Sequence, residues 1–272
     1  MATWTLETID WGRFDASKVD PEILRNIKAA AMVERNGGDY GIYLGRVFAD
    51  DPGFREDVAR WATEEVQHGM ALGRWAQLAD PSWDFDAAFA RFRAGYQLPL
   101  DATRSVRGSQ AGEMMARCIV ETGTSSYYSA LKDATDEPVL KQICTNIAAD
   151  ELRHFKLFYS NMQRYLTRER LSRWDRVRIG LQRMRESEDD ELAYAYFAAN
   201  APQGAIYDRV RNTHAYARRA YRLYRPVHVQ RGIAMILKAM GLRPQGQLND
   251  WLSRAALKWL SWRHHRLARA GA

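Results

Sequence analysis

The chain has 272 residues, 46% of them hydrophobic and 27% charged, with a net charge of +7, as expected for a globular protein with a sizeable core. No apolar run is long enough to cross a bilayer, and the acidic N-terminus lacks a signal-peptide pattern, so we expect a cytoplasmic protein. Two cysteines, Cys118 and Cys144, are too few for a disulfide framework or a thiolate metal cage, and we interpret both as core residues.

Helical signals dominate the chain from its beginning. Asp20 and Pro21 place an N-cap before a proline at the first helical position and predict a helix that ends near Phe48. Further helices are predicted over residues 54–78, 87–96, 110–132 and 138–166. Alternating strand patterns are essentially absent, and the chain after residue 167 stays helical but becomes more charged. We therefore expect an all-α fold.

The four long helices carry a repeated pattern of acidic residues and histidine. A lone Glu on one helix is followed, 31 or 30 residues later, by a Glu-x-x-His motif on the next helix. In the first half these residues are Glu34, Glu65 and His68, and in the second half they are Glu121, Glu151 and His154. Residues three apart point to the same side of a helix, so each Glu and His can share one centre.

Four helices can therefore present four carboxylates and two imidazoles to one axis. This is the ligand inventory of a carboxylate-bridged dimetal site in a four-helix bundle. Carboxylates with one imidazole per metal suit Fe(II) or Mn(II) and leave positions open for O₂. A single Glu-x-x-His would be a weak signal, but two at matching intervals are a strong one.

Two stretches resemble the soluble acyl-carrier-protein desaturases. Residues 61–69, "WATEEVQHG", resemble the Trp-x-x-Glu-Glu-x-x-His-Gly segment of that family, and residues 147–154, "IAADELRH", resemble its Ile-Ala-Ala-Asp-Glu-x-Arg-His segment. The resemblance spans roughly residues 22–166. It implies a ferritin-like four-helix bundle, which we place over residues 1–166. Residues 167–272 lie beyond the resemblance, and we expect them to form additional helices, with a basic amphipathic C-terminal module, that pack on the bundle.

The resemblance also implies roles for particular residues. The six acidic and histidine residues match iron ligands, and Thr124 matches a threonine beside the O₂ site. Thr124 could contact bound oxygen or relay a proton, or its hydroxyl could bond to its own helix backbone. Glu64 and Asp150 match the acidic residues that precede each metal-binding Glu. By the repeat, we expect Asp150 to orient His68 and Glu64 to orient His154, although Glu64 could also be a surface charge.

Other residues near the motifs have plainer interpretations. Gly37, Gly38 and Gly123 follow the lone Glu residues, and close helix packing is the favoured reason for them, with space for O₂ or an acyl chain as the alternative. Four tyrosines on the same helices are interpreted as core aromatic residues rather than redox relays: Tyr40, Tyr43, Tyr127 and Tyr128.

The last quarter of the chain is strongly basic. Residues 205–272 carry twelve Arg and two Lys against Asp208 and Asp250, a net charge of +12, while the rest of the chain carries −5. The final segment combines a tryptophan-rich stripe with Arg and Lys. This pattern suits a membrane surface, an acidic carrier protein, an RNA, or a helix packed on the bundle with a solvated basic face.

The leading functional hypothesis is a diiron, O₂-dependent oxidase of an acyl chain, either a desaturase or a hydroxylase. It would use two Fe ions or a mixed Mn/Fe pair, O₂ as co-substrate, and an external electron donor such as ferredoxin. The acyl chain could be bound to acyl-carrier protein, and we expect a homodimer that could associate peripherally with an anionic membrane. The alternatives are a ferritin-like hydroxylase or N-oxygenase of another substrate, such as modified tRNA, and an iron- or peroxide-handling protein.

Overall fold

A computed structural model describes residues 4–185 and 190–270, except the side chains of residues 268 and 270. Residues 1–3 of the predicted bundle domain lie outside these ranges, as do residues 186–189, 271 and 272 of the predicted C-terminal segment. Every regular element in the described ranges is helical, and no strand occurs there, so the all-α prediction is confirmed.

Three 3₁₀ turns open the chain, at Leu6–Thr8, Trp11–Arg13 and Ala16–Lys18, and α-helices follow. The helices are α1 (Pro21–Arg35), α2 (Gly37–Val47), α3 (Pro52–Ala79), α4 (Phe85–Gly95), α5 (Gln110–Ala134), α6 (Pro138–Glu169), α7 (Arg173–Arg185), α8 (Asp190–Asn200), α9 (Arg209–Tyr221), α10 (Pro226–Ala239) and α11 (Gln247–Ala270).

Side-chain caps fix where the long helices begin. Asp20 accepts hydrogen bonds from the backbone N–H groups at the start of α1, as the sequence predicted. Asp51 and Glu137 cap α3 and α6 in the same way, and each precedes a proline at the first helical position. Ser109 caps α5. Each cap satisfies backbone donors that have no partner within the helix.

The first predicted helix is interrupted, because residues 21–47 form two helices separated at Asn36. Beyond this point α2 lies so close to α3 that a Cβ atom on Gly37 would be 2.2 Å from the Cβ of Glu65. Gly69 permits a similar approach, since a Cβ there would be 2.4 Å from the backbone nitrogen of Arg35. The interruption and the two glycines bring the chain around Glu34 against α3, so the packing explanation for Gly37 is supported.

The long helices pack around a layer of polar side chains that divides the core. α1 packs against α3, α5 packs extensively against α6, and α3 contacts α6. Along α3, α5 and α6, residues of one apolar cluster lie on one side of the polar layer and residues of another cluster lie on the other side, whereas α1 contributes to the first cluster and α2 to the second. The first cluster includes Met32, Trp75 and Tyr128, and the second includes Phe54 and Phe158.

The later helices cover the sides of this assembly. α8 packs on α1 and α4, α9 packs on α8 and α1, and α7 and α10 pack on α5. α11 contacts α9 and α10. Within the described part of the chain, no helix is both long and apolar enough to span a bilayer.

Candidate metal centre

The polar layer brings together all six residues that the sequence singled out as metal ligands. All six are buried: Glu34, Glu65, His68, Glu121, Glu151 and His154. Their ligand atoms form two groups, and within each group the atoms lie no more than 4.8 Å apart. One group consists of Glu34, Glu65, His68 and Glu151, and the other of Glu65, Glu121, Glu151 and His154. The two groups share Glu65 and Glu151, so two carboxylates lie between two adjacent positions.

The imidazole rings face these carboxylates through Nδ1. The Nδ1 atom of His68 lies 3.5 Å from Oε2 of Glu34 and 3.3 Å from Oε1 of Glu151. The Nδ1 atom of His154 lies 2.9 Å from Oε1 of Glu65 and 3.7 Å from Oε2 of Glu121. The two ring centroids are 5.7 Å apart. Both half-sites therefore use the same ring nitrogen, and each directs it at one of the shared carboxylates, His68 at Glu151 and His154 at Glu65.

The atoms that point into this layer form no hydrogen bond of proper geometry with the described residues, although the two Nδ1 atoms lie close to carboxylate oxygens. They are Glu34 Oε2, Glu65 Oε1, Glu121 Oε1, Glu151 Oε1, His68 Nδ1 and His154 Nδ1. Buried polar atoms are almost always paired, because leaving one unpaired costs about 1–3 kcal/mol. All six of these atoms converge on one layer, and cations bound there would take the place of the missing hydrogen-bond partners.

Outer carboxylates hold the far side of each imidazole ring. The Nε2 atom of His68 lies 3.1 Å from Oδ2 of Asp150, and the Nε2 atom of His154 lies 2.8 Å from Oε2 of Glu64. These are the pairings expected from the repeat. Arg153 donates to both Asp150 and Glu64 and so links the two half-sites.

Trp4 is a neighbour of the site that the sequence reasoning missed. Its indole N–H donates to Oδ2 of Asp150 at 2.9 Å, and its ring stacks on His68 with a centroid separation of 5.9 Å. The contact joins residues 146 positions apart, so no local sequence signal could have revealed it. On the other half-site, Trp61 from the "WATEEVQHG" segment approaches His154 edge-on at 6.4 Å.

Two hydroxyl groups bind carboxylates of the cluster. Thr124 Oγ1 lies 2.7 Å from Oε2 of Glu151, and it also contacts the backbone carbonyls of Val120 and Glu121. The backbone contact expected as one alternative is therefore present, together with a carboxylate contact that was not expected. Tyr128 donates to Oε1 of Glu34 at 2.5 Å, so this tyrosine is more than a core aromatic residue.

The crowded carboxylates shift one another's pKa values. Burial, followed by the charges of Glu151 and Glu34, raises the pKa of Glu65 from 4.5 to about 8. Burial, followed by the negative charges of Glu151 and Glu65, raises the pKa of Glu121 well above its usual value. Without added positive charge the cluster therefore retains protons at neutral pH.

The pKa values of the histidines and of Glu151 shift in opposite directions. Burial alone would lower the pKa of His68, but the neighbouring carboxylates of Asp150, Glu151 and Glu34 raise it well above its usual value. Burial alone would raise the pKa of Glu151, but the neighbouring imidazoles of His154 and His68 lower it well below its usual value. Protonated imidazoles and ionised Glu151 therefore supply part of the charge balance of the metal-free cluster.

A cavity of about 300 Å³ borders the carboxylates. Glu34, Glu65, Glu121 and Thr124 form one part of its wall, beside Gly123, whose missing side chain leaves open space. The remaining wall is mostly apolar or aromatic and comes largely from α5, α8 and α9, with Tyr127, Tyr216, Ala217, Ala220, Tyr221 and Tyr224 among its residues.

The cavity also has charged residues that the sequence reasoning did not single out. Glu191 of α8 is buried and accepts hydrogen bonds from Asn36 at 3.0 Å and from the hydroxyl group of Tyr40 at 2.7 Å. Arg117 of α5 is buried over the Tyr40 ring and pairs with Glu113. An ionic network thus lies directly beside the polar layer, while the aromatic wall extends along α9.

No protein-family model matches the chain, and no curated protein matches it either.

Proposed function

We propose that this protein is a dimetal, O₂-dependent oxidoreductase with a ferritin-like bundle formed by α1–α2, α3, α5 and α6. The observation that carries the proposal is the pair of buried ligand groups that share Glu65 and Glu151 and leave six inward-facing atoms unpaired. The donor set of carboxylates with one imidazole per position fits two iron ions, or a mixed manganese and iron pair, better than it fits zinc or copper.

Residues around the cluster would fix the orientation of its ligands. Because Asp150 and Glu64 are hydrogen-bond acceptors, each favours a proton on Nε2 of its histidine and leaves the Nδ1 lone pair free to bind a metal. Tyr128 holds Glu34 from outside the cluster. Its pKa is raised well above the usual value by burial and then by the charge of Glu34, so the hydroxyl group remains a donor.

The metals would supply O₂ activation and the oxidising power needed to remove hydrogen from an unactivated C–H bond. The protein would supply the position of the substrate and exclusion of water. Thr124 lies at the border between the cluster and the cavity, where its hydroxyl group can hold Glu151 and move a proton to or from Glu151. The aromatic wall formed mainly by α5 and α9 would hold the substrate beside this border.

An acyl chain is the substrate class that this cavity favours. Its wall is mainly apolar and aromatic, and it adjoins the carboxylates directly. We propose desaturation or hydroxylation, with the chain delivered on a carrier such as acyl-carrier protein and electrons delivered by a protein such as ferredoxin. A wide basic cleft would have favoured a tRNA substrate. A site for iron or peroxide handling alone would have no need of this aromatic cavity.

The experiment starts with metal content. The purified protein loaded anaerobically with Fe(II) should bind about two irons per chain, with the spectroscopic signature of a coupled pair by Mössbauer spectroscopy. Glu151→Gln should lose the pair because it removes a shared charge. Glu113→Gln is the matched control, since Glu113 is equally buried but lies outside the ligand groups. Full dinuclear occupancy in Glu151→Gln, or no iron in the wild-type protein, would refute the metal assignment.

The substrate class is tested separately by O₂ consumption. The diiron protein with an electron donor should consume O₂ faster when an acyl thioester is added, and mass spectrometry should detect loss of two hydrogens or gain of one oxygen. An intact diiron site that never oxidises an acyl chain would reject the substrate while leaving the metal centre in place.

A further inference from the structure

The exposed face of α11 carries tryptophan and basic residues together. Trp251 is 62% exposed, Trp262 is 52% exposed and Trp259 is 47% exposed. The opposite face is held against the protein: Ser253 and Leu267 are buried, and His264 contacts the backbone carbonyl of Arg218. The helix therefore has a fixed orientation that leaves its tryptophans outside.

The cations on the exposed face are Arg254, Lys258, Arg266 and Arg269, and all four are exposed. None of them forms an ion pair with another residue in the described ranges. Arg266 lies over the Trp262 ring, 5.3 Å from its centroid. From Trp251 to Trp262 the helix rises about 17 Å at 1.5 Å per residue, so three indoles and these charges occupy one short, continuous surface.

We propose that this face of α11 docks the protein onto an anionic bilayer surface. Tryptophan prefers the boundary between headgroups and acyl chains, and Arg and Lys bind anionic headgroups, so one helical face with both is suited to lie in that plane. The face belongs to a single helix, and its four exposed cations, Arg254, Lys258, Arg266 and Arg269, form no ion pair within the described part of the chain. Binding to an acidic protein requires charge but not three exposed indoles.

The position of this face relative to the cavity agrees with a lipid surface. Tyr221 lines the cavity and also packs against Trp259, with ring centroids 5.6 Å apart. The docking face is therefore one aromatic side chain away from the cavity wall. A protein docked through α11 would bring that wall toward the membrane, where apolar chains are concentrated. Docking itself needs neither the metals nor catalysis, so it can be tested independently of them.

The test is co-flotation of the full-length protein with vesicles. At low salt the wild-type protein should float with vesicles that contain 30% phosphatidylglycerol. It should not float with vesicles of pure phosphatidylcholine. The triple variant Arg254→Gln/Lys258→Gln/Arg266→Gln should bind about 100-fold more weakly, since each basic residue near an anionic surface contributes roughly five-fold. High salt should reduce wild-type binding in the same direction.

Matched controls separate this face from a general effect. Trp251→Ala/Trp262→Ala should weaken flotation, whereas Trp174→Ala should not, although Trp174 on α7 is 82% exposed. Arg13→Gln/Arg55→Gln removes exposed positive charge elsewhere and should also leave flotation intact. Indole fluorescence of the wild-type protein should be quenched by brominated acyl chains, which requires no variant. Circular dichroism and metal content should be the same for all variants, because every substituted side chain is exposed.

Three results would overturn the proposal. The first is a wild-type protein that ignores anionic vesicles at low salt. The second is equal loss of binding in the α11 variants and in their controls. The third is retention of an acidic carrier protein, but not of vesicles, through Arg254, Lys258 and Arg266, which would assign the face to a protein partner instead.

Discussion

Replacing Asp150 with Asn tests whether the outer carboxylates set the state of the metal-binding imidazoles. Asp150 is fully buried and accepts hydrogen bonds from His68, Trp4 and Arg153. Asn has nearly the same shape, but its amide nitrogen cannot accept a hydrogen bond. If that nitrogen donates to Nε2 of His68, the ring proton must move to Nδ1, the atom that faces the carboxylates.

The expected losses follow from these contacts. Replacing a buried acceptor of this kind leaves at least one donor without a partner and should cost the metal-free protein about 1–3 kcal/mol in free energy of unfolding. Loss of such an orienting partner typically lowers metal affinity by about 10–100-fold, and the wrong ring tautomer adds to the effect. Affinity is measured by competition with a chelator, and stability by urea unfolding of the metal-free protein.

Two other variants separate tautomer control from simple loss of a contact. Trp4→Phe keeps an aromatic ring against His68 but removes one donor to Asp150, so it should lower stability while leaving metal affinity nearly unchanged. Glu64→Gln alters the partner of His154 at a less buried position, where water can compensate, and should have a smaller effect than Asp150→Asn. Wild-type metal affinity and reactivity in Asp150→Asn would refute this reasoning.

Three further predictions concern packing and pH. Gly37→Ala should lower the free energy of unfolding by about 1–3 kcal/mol, because the added Cβ atom would clash with Glu65. Gly123→Ala should fold normally, since a Cβ atom there meets open space. Equal melting temperatures for the two variants would contradict this prediction. Metal affinity should rise as pH increases toward about 8, since Glu65 must lose a proton to bind, and calorimetry in several buffers should detect that release. Because the pKa of Glu65 is raised in the folded state, this carboxyl lowers the stability of the metal-free protein as the pH rises from 4.5 to about 8. A melting temperature that does not fall over this pH range would count against the raised pKa.

The sequence predicted the helices and the candidate ligand set because both depend on local spacing. Caps such as Asp20, and carboxylates three residues from histidines, are visible along the chain. The break at Asn36 was not predicted, and it accompanies close packing of Gly37 on Glu65, a contact between residues distant along the chain. The roles of Trp4 and Tyr128 were also missed, because each contacts a residue more than 90 positions away in the sequence.

The repeat makes the two half-sites alike, but their surroundings make them different. Each histidine contacts an outer carboxylate from the other half of the chain, and Arg153 connects these carboxylates. Trp4 covers only the His68 side, whereas Thr124 binds the shared Glu151 where the cavity meets the cluster. An internal repeat can therefore supply two matched ligand sets, while single added contacts make the surroundings of the two positions unequal. In the proposed reaction, the substrate would lie on the cavity side of the cluster, where Glu34, Glu121 and the shared Glu65 form part of the wall.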